Sequence, residues 1–150
     1  MKRLMIALLA LAAAPTAALP AANVLMSENP SERAFQEKYG YSDAVIAGDT
    51  VYLSGVVAGL APGEADPTAA YDRAFKRIGA ILARAGVGWA DVVEITSFHT
   101  DVKAQLDPMA AVKNRYIKAP FPAWTAISVS RLLPDTGITE IKVIARRPPG

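Results

Sequence analysis

With 150 residues, the chain suits one domain able to bury roughly two-thirds of its unfolded surface. It carries 16 Lys+Arg against 14 Asp+Glu, a single His and no Cys. That inventory excludes a disulfide scaffold, a Cys-His dyad and a zinc centre, because metal sites need several His, Cys or carboxylate ligands.

The start of the chain reads as a cleavable signal peptide over residues 1–18. Lys2-Arg3 forms a basic head, Leu4 to Ala14 is an unbroken apolar run, and Thr16-Ala17-Ala18 offers small residues for cleavage. The run is about half the ~20 apolar residues that span a bilayer, so no stable membrane anchor is expected. A periplasmic or secreted location follows. Losing Lys2 and Arg3 takes the basic count from 16 to 14, level with the 14 acids. A neutral chain without a basic stripe gives no support for a nucleic-acid partner.

Residues 19–40 read as a loosely held lead-in, with a short helix over 30–38 capped by Ser31 and stopped by Gly40. A domain over 41–150 follows. Ala44 to Ala47 and Thr50 to Ser54 are β-prone runs around a Gly48-Asp49 turn. Gly55 closes the second run, marking either a bulge or a close approach of ligand or backbone. Residues 58–63 read as a loop. Asp66-Pro67 starts a helix whose stripe is Tyr71, Ala74, Phe75, Ile78, Leu82 and Ala85, and Gly86 stops it.

Val92 to Thr100 is the next strand, with Ser97 and His99 on one face. The lone His99 is given a structural role. Asp107-Pro108 signals a second helix from Met109 to about Ile117, with Leu106, Met109, Val112 and Tyr116 inward. Phe121 to Arg131 and Thr139 to Ala145 alternate with the period of strands. With Leu132 to Gly137 as a turn they read as a hairpin setting Trp124 and Glu140 near each other on a non-core face. The order is β-β-α-β-α-β-β, an α+β domain with a mixed sheet and two helices on one face. The polar and aromatic opposite face calls for cover by oligomerisation. No GxGxxG, P-loop, GxSxG or HExxH motif occurs.

Taken in order, Tyr41-Ser-Asp-Ala-Val45, Gly48 to Gly55, Ala85-Gly86, Asp91 to Phe98, Thr100-Asp101, Pro122-Ala123, Arg131-Leu132 and Glu140-Ile141 resemble the Rid (YjgF-type) family of reactive-intermediate deaminases. The resemblance implies a chorismate-mutase-like homotrimer with a central barrel and three clefts between subunits. It implies hydrolysis of imines or enamines derived from amino acids, with no metal and no organic cofactor. It assigns Glu140 the proton-handling role and places Tyr41, Gly55 and Val56 in the cleft. Val56 stands where the family often has glutamine.

The family's arginine, a fork matched to the substrate carboxylate, falls at Trp124, with Ala126 two residues on. An indole donates one N–H and carries no charge. The expectation is therefore a divergent imine or enamine hydrolase acting on substrates other than ordinary amino-acid-derived imino acids. The alternative is a non-catalytic protein that stacks a small molecule on Trp124.

Overall fold

In the computed structural model, the structure describes residues 23–147, so the signal peptide expected over 1–18 lies outside the described residues. The lead-in is integral to the fold. β1 (Val24–Leu25) pairs antiparallel with β2 (Ala44–Ala47), and α1 (Pro30–Tyr39) lies between them in sequence. The cap of α1 is Asn29 rather than Ser31: its Oδ1 accepts from the amides of Ser31 at 3.0 Å and Glu32 at 3.3 Å. Gly40 stops the helix at φ 70°, a left-handed conformation that suits glycine.

β2 and β3 (Thr50–Leu53) form the expected hairpin. The segment expected as a loop is partly strand, because Val56–Gly59 forms β4 against the last strand. α2 (Thr68–Arg84) carries the expected stripe, all of it buried. Asp66 Oδ1 accepts from the Thr68 amide at 2.9 Å and so performs the capping expected of it.

β5 (Val92–His99) leads into α3 (Val102–Tyr116), which starts a turn and a half before the Asp107-Pro108 signal. Asp101 supplies the cap, accepting from the Ala104 amide at 3.2 Å, and Pro108 is carried inside the helix. Tertiary packing of Met109 and Val112, both fully buried, outweighs the local cost of that proline.

The expected final hairpin does not form. β6 (Ala123–Ser128) runs parallel to β5, and β7 (Gly137–Arg146) runs antiparallel to β5 on its other side. The sheet order is β1-β2-β3-β7-β5-β6, with β4 also on β7. The burial pattern explains the choice. β7 buries Thr139, Ile141, Val143 and Ala145 completely, as a central strand must, whereas β6 keeps an exposed face and takes the edge. A parallel β5–β6 pair requires a long crossover, which α3 provides.

One face of this mixed α+β sheet packs on α2 and α3 around Tyr71, Phe75, Ile78 and Leu82. The other face presents Tyr52, Thr96, Ile127 and Lys142. No helix among the described residues is long and apolar enough to cross a membrane.

Candidate functional site

The residues singled out from sequence fall into two separate groups. The first gathers where β3 gives way to β4. Gly55 is exposed there, and an ideal Cβ on it would lie 1.8 Å from Glu140 Oε1. Only glycine leaves space for that carboxylate, so the close approach is real and the approaching group is Glu140. Glu140 stands opposite Val57 on β7, on the face away from the helices. Among the described residues its side chain has no ion-pair partner, Lys142 two positions on included.

Beside it lies a cavity of about 640 Å³ lined by Tyr41, Gly55, Val56, Phe35, Tyr39 and Arg77, among others. The side chain of Val56 belongs largely to the core, so its share of this wall is small. Phe35 and Tyr39 were not foreseen. They sit one turn apart on α1, ring centroids 4.4 Å apart, and Phe35 meets Tyr41 edge-on at 6.2 Å. α1 is tied down by Arg77, whose guanidinium reaches both Glu32 oxygens at 2.7 and 2.9 Å. That fork holds the Glu32 carboxyl below its ordinary value. Behind it, buried Asp43 accepts from Gln36 at 2.8 Å and Arg84 at 3.0 Å.

The second group lies on edge strand β6. Trp124 stands beside Ile95 and Ala126 beside Ser97, on the helix-covered face. Trp124 and Glu140 are thus two strands apart and on opposite faces, not neighbours on one face as the hairpin reading had them. The insertion of β5 between β6 and β7 separates them, and the register that pairs Trp124 with Ile95 and Glu140 with Phe98 puts them on opposite faces.

The indole N–H of Trp124 donates to Ser97 Oγ at 2.9 Å, and Ser97 Oγ lies 2.8 Å from His99 Nε2. His99 Nδ1 meets Thr139 Oγ1 at 3.1 Å, Thr139 meets the Tyr71 hydroxyl at 3.0 Å, and Tyr71 reaches the Gln105 carbonyl at 3.4 Å. An indole can only donate and a carbonyl can only accept. Those ends fit a single direction for the chain, with His99 neutral and its proton on Nδ1. Burial pushes His99 below its ordinary value, in agreement with that form. His99 is therefore a structural core residue, as expected from sequence.

Lys113 was missed. It projects from α3 with only 6 % of its surface exposed, its Nζ 4.9 Å from the Trp124 ring centroid and 5.6 Å from that of Phe121. Burial pushes its ammonium below the ordinary lysine value. The signal was present: Met109, Val112, Lys113 and Tyr116 follow i, i+3, i+4, i+7, which puts a charge on the apolar face. Among the described residues no cluster of His, Asp and Glu is placed to hold a metal ion.

A family model described as endoribonuclease L-PSP matches residues 31–147. The RutC family protein YjgH of Escherichia coli K12 is 39% identical over 115 residues, covering 74% of this chain and 86% of that protein. Human 2-iminobutanoate/2-iminopropanoate deaminase is 30% identical over 114 residues, 73% of this chain and 81% of that one. The crystal structure of Rv2704 from Mycobacterium tuberculosis, of the YjgF/YER057c/UK114 family, aligns with TM-score 0.70 at 26% identity. It covers 82% of this chain and 97% of its own.

Proposed function

The chain belongs to the Rid (YjgF-type) family, and from that premise we propose that it is a divergent, cofactor-independent imine or enamine hydrolase. The observation that carries this reading is the Glu140 carboxylate, unpaired among the described residues, seated on Gly55 beside an aromatic-walled cavity. A carboxylate in that position can take a proton from water as it adds to the imine carbon and pass it to the nitrogen, then take the proton of the new hydroxyl and deliver it to the same nitrogen as the C–N bond breaks and the carbonyl forms. Tyr41, Phe35 and Tyr39 form an apolar wall that would exclude bulk water from the reacting carbon.

The two groups of site residues lie on opposite faces of the sheet in one chain, which favours clefts shared between copies in a homotrimer, Glu140 coming from one copy and Trp124 from the next. Without an arginine at position 124, substrates are held differently from ordinary amino-acid-derived imino acids. A lost charge-assisted pair costs about 1.5–3 kcal/mol, or roughly 10- to 150-fold in affinity or rate. A binding module that stacks a cation on Trp124 is the weaker reading, because the ammonium of Lys113 already lies over that ring. With residues 1–18 removed, the 14 remaining bases would match the 14 acids, which lends no support to action on RNA.

The test is decay of imines made in situ by an amino-acid oxidase and by an amine oxidase, with the carbonyl product as readout. Acceleration by wild-type protein, reduced roughly 10²- to 10⁴-fold in Glu140→Gln, is expected. No acceleration of any imine in the set would overturn the reading.

A further inference from the structure

We propose that the wall formed by Phe35, Tyr41 and Leu133 is the specificity pocket of the reaction, selecting an uncharged imine that carries an aryl group. This rests on the hydrolase reading, because it names the substrate class of that same site.

The cavity is larger than the smallest imines need. At about 640 Å³ it falls among the pockets of roughly 300–1,000 Å³ that hold drug-sized ligands, not three- or four-carbon ones. It also adjoins the reacting carboxylate. Val57, on the cavity wall, is the cross-strand partner of Glu140, which puts the two side chains on one face of the sheet.

The aromatic side chains of α1 serve the cavity rather than the core. Only Gln36 of that helix is buried, whereas Phe35 and Tyr39 are 44 % and 59 % exposed and lie outside the core cluster. Gln36 fixes where they stand: its Oε1 accepts from the Ser27 amide and its Nε2 donates to Asp43, each at 2.8 Å. Tyr39 backs the Phe35 ring and has Lys38 Nζ 5.1 Å from its own centroid. Phe35 and Tyr41, set edge to face, are then the rings left for a ligand, and a further ring fits such a pair by offset or edge contact. Leu133, 74 % exposed, adds an aliphatic wall from the segment between β6 and β7. Phe35 and Leu133 are not among the site residues carried over from the family.

Charge sets the other half of the preference. Among the described residues that line the cavity, Arg77 is the one base, against Glu32 and Asp43. Its guanidinium is engaged, with both oxygens of Glu32 at 2.7 and 2.9 Å and Asp43 at 3.6 Å. Lys38 does not line the cavity. A ligand carboxylate would sit near Glu32, Asp43 and Glu140 with no free base in the wall, a penalty that an uncharged aryl imine does not incur. Water adds across its carbon–nitrogen double bond and ammonia leaves, so aldehyde and ammonia account for every atom without an oxidant.

Three imines made in situ at equal flux test the preference: from 2-phenylethylamine and butylamine by an amine oxidase, and from phenylalanine by an amino-acid oxidase. Wild type is expected to accelerate the phenylethyl imine at least about tenfold more than either of the others, within the roughly 10- to 200-fold that an apolar pocket can supply. Phe35→Ala should bring the phenylethyl-to-butyl ratio to within about threefold of unity, and Leu133→Ala should lower it at least about twofold. Both side chains are substantially exposed, so both variants should fold. A wild-type ratio near unity, or an unchanged ratio in both variants, would overturn the proposal and leave the hydrolase standing. Loss of the oligomer in Phe35→Ala with its ratio intact would reassign the wall to a subunit contact and also overturn it.

Calorimetry of the full chain with phenylacetamide, phenylacetate and butyramide reads the pocket without turnover. Phenylacetamide should bind at least about tenfold more tightly than the other two, and Phe35→Ala should erase that margin. That result without turnover of any imine would discard the hydrolase and keep the pocket's preference. Equal binding of phenylacetamide and phenylacetate, or of phenylacetamide and butyramide, would sink the preference whatever the turnover.

Discussion

Gly55→Ala separates position from presence at Glu140. An ideal Cβ at Gly55 would sit 1.8 Å from Oε1, 2.6 Å from Cδ and 2.7 Å from Cγ of Glu140. Ordinary contact begins near 3.4 Å, so Oε1 has to retreat by about 1.6 Å. The obstacle is a flexible side chain rather than backbone, and the cost is a rotamer change of roughly 0.5–1.5 kcal/mol. Gly55 does not occupy the left-handed region, so alanine fits its backbone and stiffens the unfolded chain, returning about 0.4–1 kcal/mol. Net stability should change by less than about 1 kcal/mol.

Catalysis should not be spared. A displacement beyond 1 Å costs on the order of 100-fold, near the lower end of the loss expected when the carboxylate is removed. The measurement is imine decay alongside calorimetric Tm for wild type, Gly55→Ala and Glu140→Gln. Gly55→Ala should unfold at nearly the wild-type Tm while losing about two orders of magnitude in rate. Full activity in both variants would refute the role of Glu140. A folded Gly55→Ala at full rate beside an inactive Glu140→Gln would show that its present position is immaterial.

Arg77→Met removes the fork on Glu32 and should lower stability by about 0.5–1 kcal/mol at pH 7, since both side chains are partly exposed. The folded-state carboxyl is depressed, so its contribution is present above the ordinary glutamate value and is lost as pH falls through the folded value. The gap in Tm between wild type and variant should therefore narrow below about pH 4.5, whereas a constant gap would assign the loss to packing. Light scattering at micromolar concentration should give a trimer; a monomer would remove the basis for a shared cleft. Intact-mass analysis of protein from the native host should show residues 1–18 removed, and their retention would refute export.

Much of the architecture was legible because it follows from local rules. The stripe of α2, the Gly48-Asp49 hairpin and the alternation of β7 are written in periodicity and turn residues, and each forms where expected. Which strand neighbours which is not a local property. β6 and β7 carry the pattern and turn of a hairpin, yet β7 is drawn into the middle of the sheet because only a central strand can bury four successive inward residues completely. That one insertion set Trp124 and Glu140 two strands apart, and the register that pairs Trp124 with Ile95 and Glu140 with Phe98 set them on opposite faces. The Gly55–Glu140 contact was half legible: the glycine was marked as a close approach, but its partner lies 85 positions along the chain. Pro108 misled because a proline signal is strong locally, while the cap at Asp101 is weaker and earlier.

The hydrogen-bonded series from Trp124 to Gln105 has a mechanical meaning beyond fixing one imidazole. It passes through β6, β5 and β7 and then into α2 and α3, so five elements share one unidirectional set of donors. None of the buried members can rotate its hydroxyl or ring without breaking a hydrogen bond to a neighbour. An edge strand would ordinarily fray as an independent unit. Here, peeling away β6 withdraws the terminal donor and sends the mismatch inward to the centre of the sheet. Edge and centre should accordingly open together, as one cooperative block.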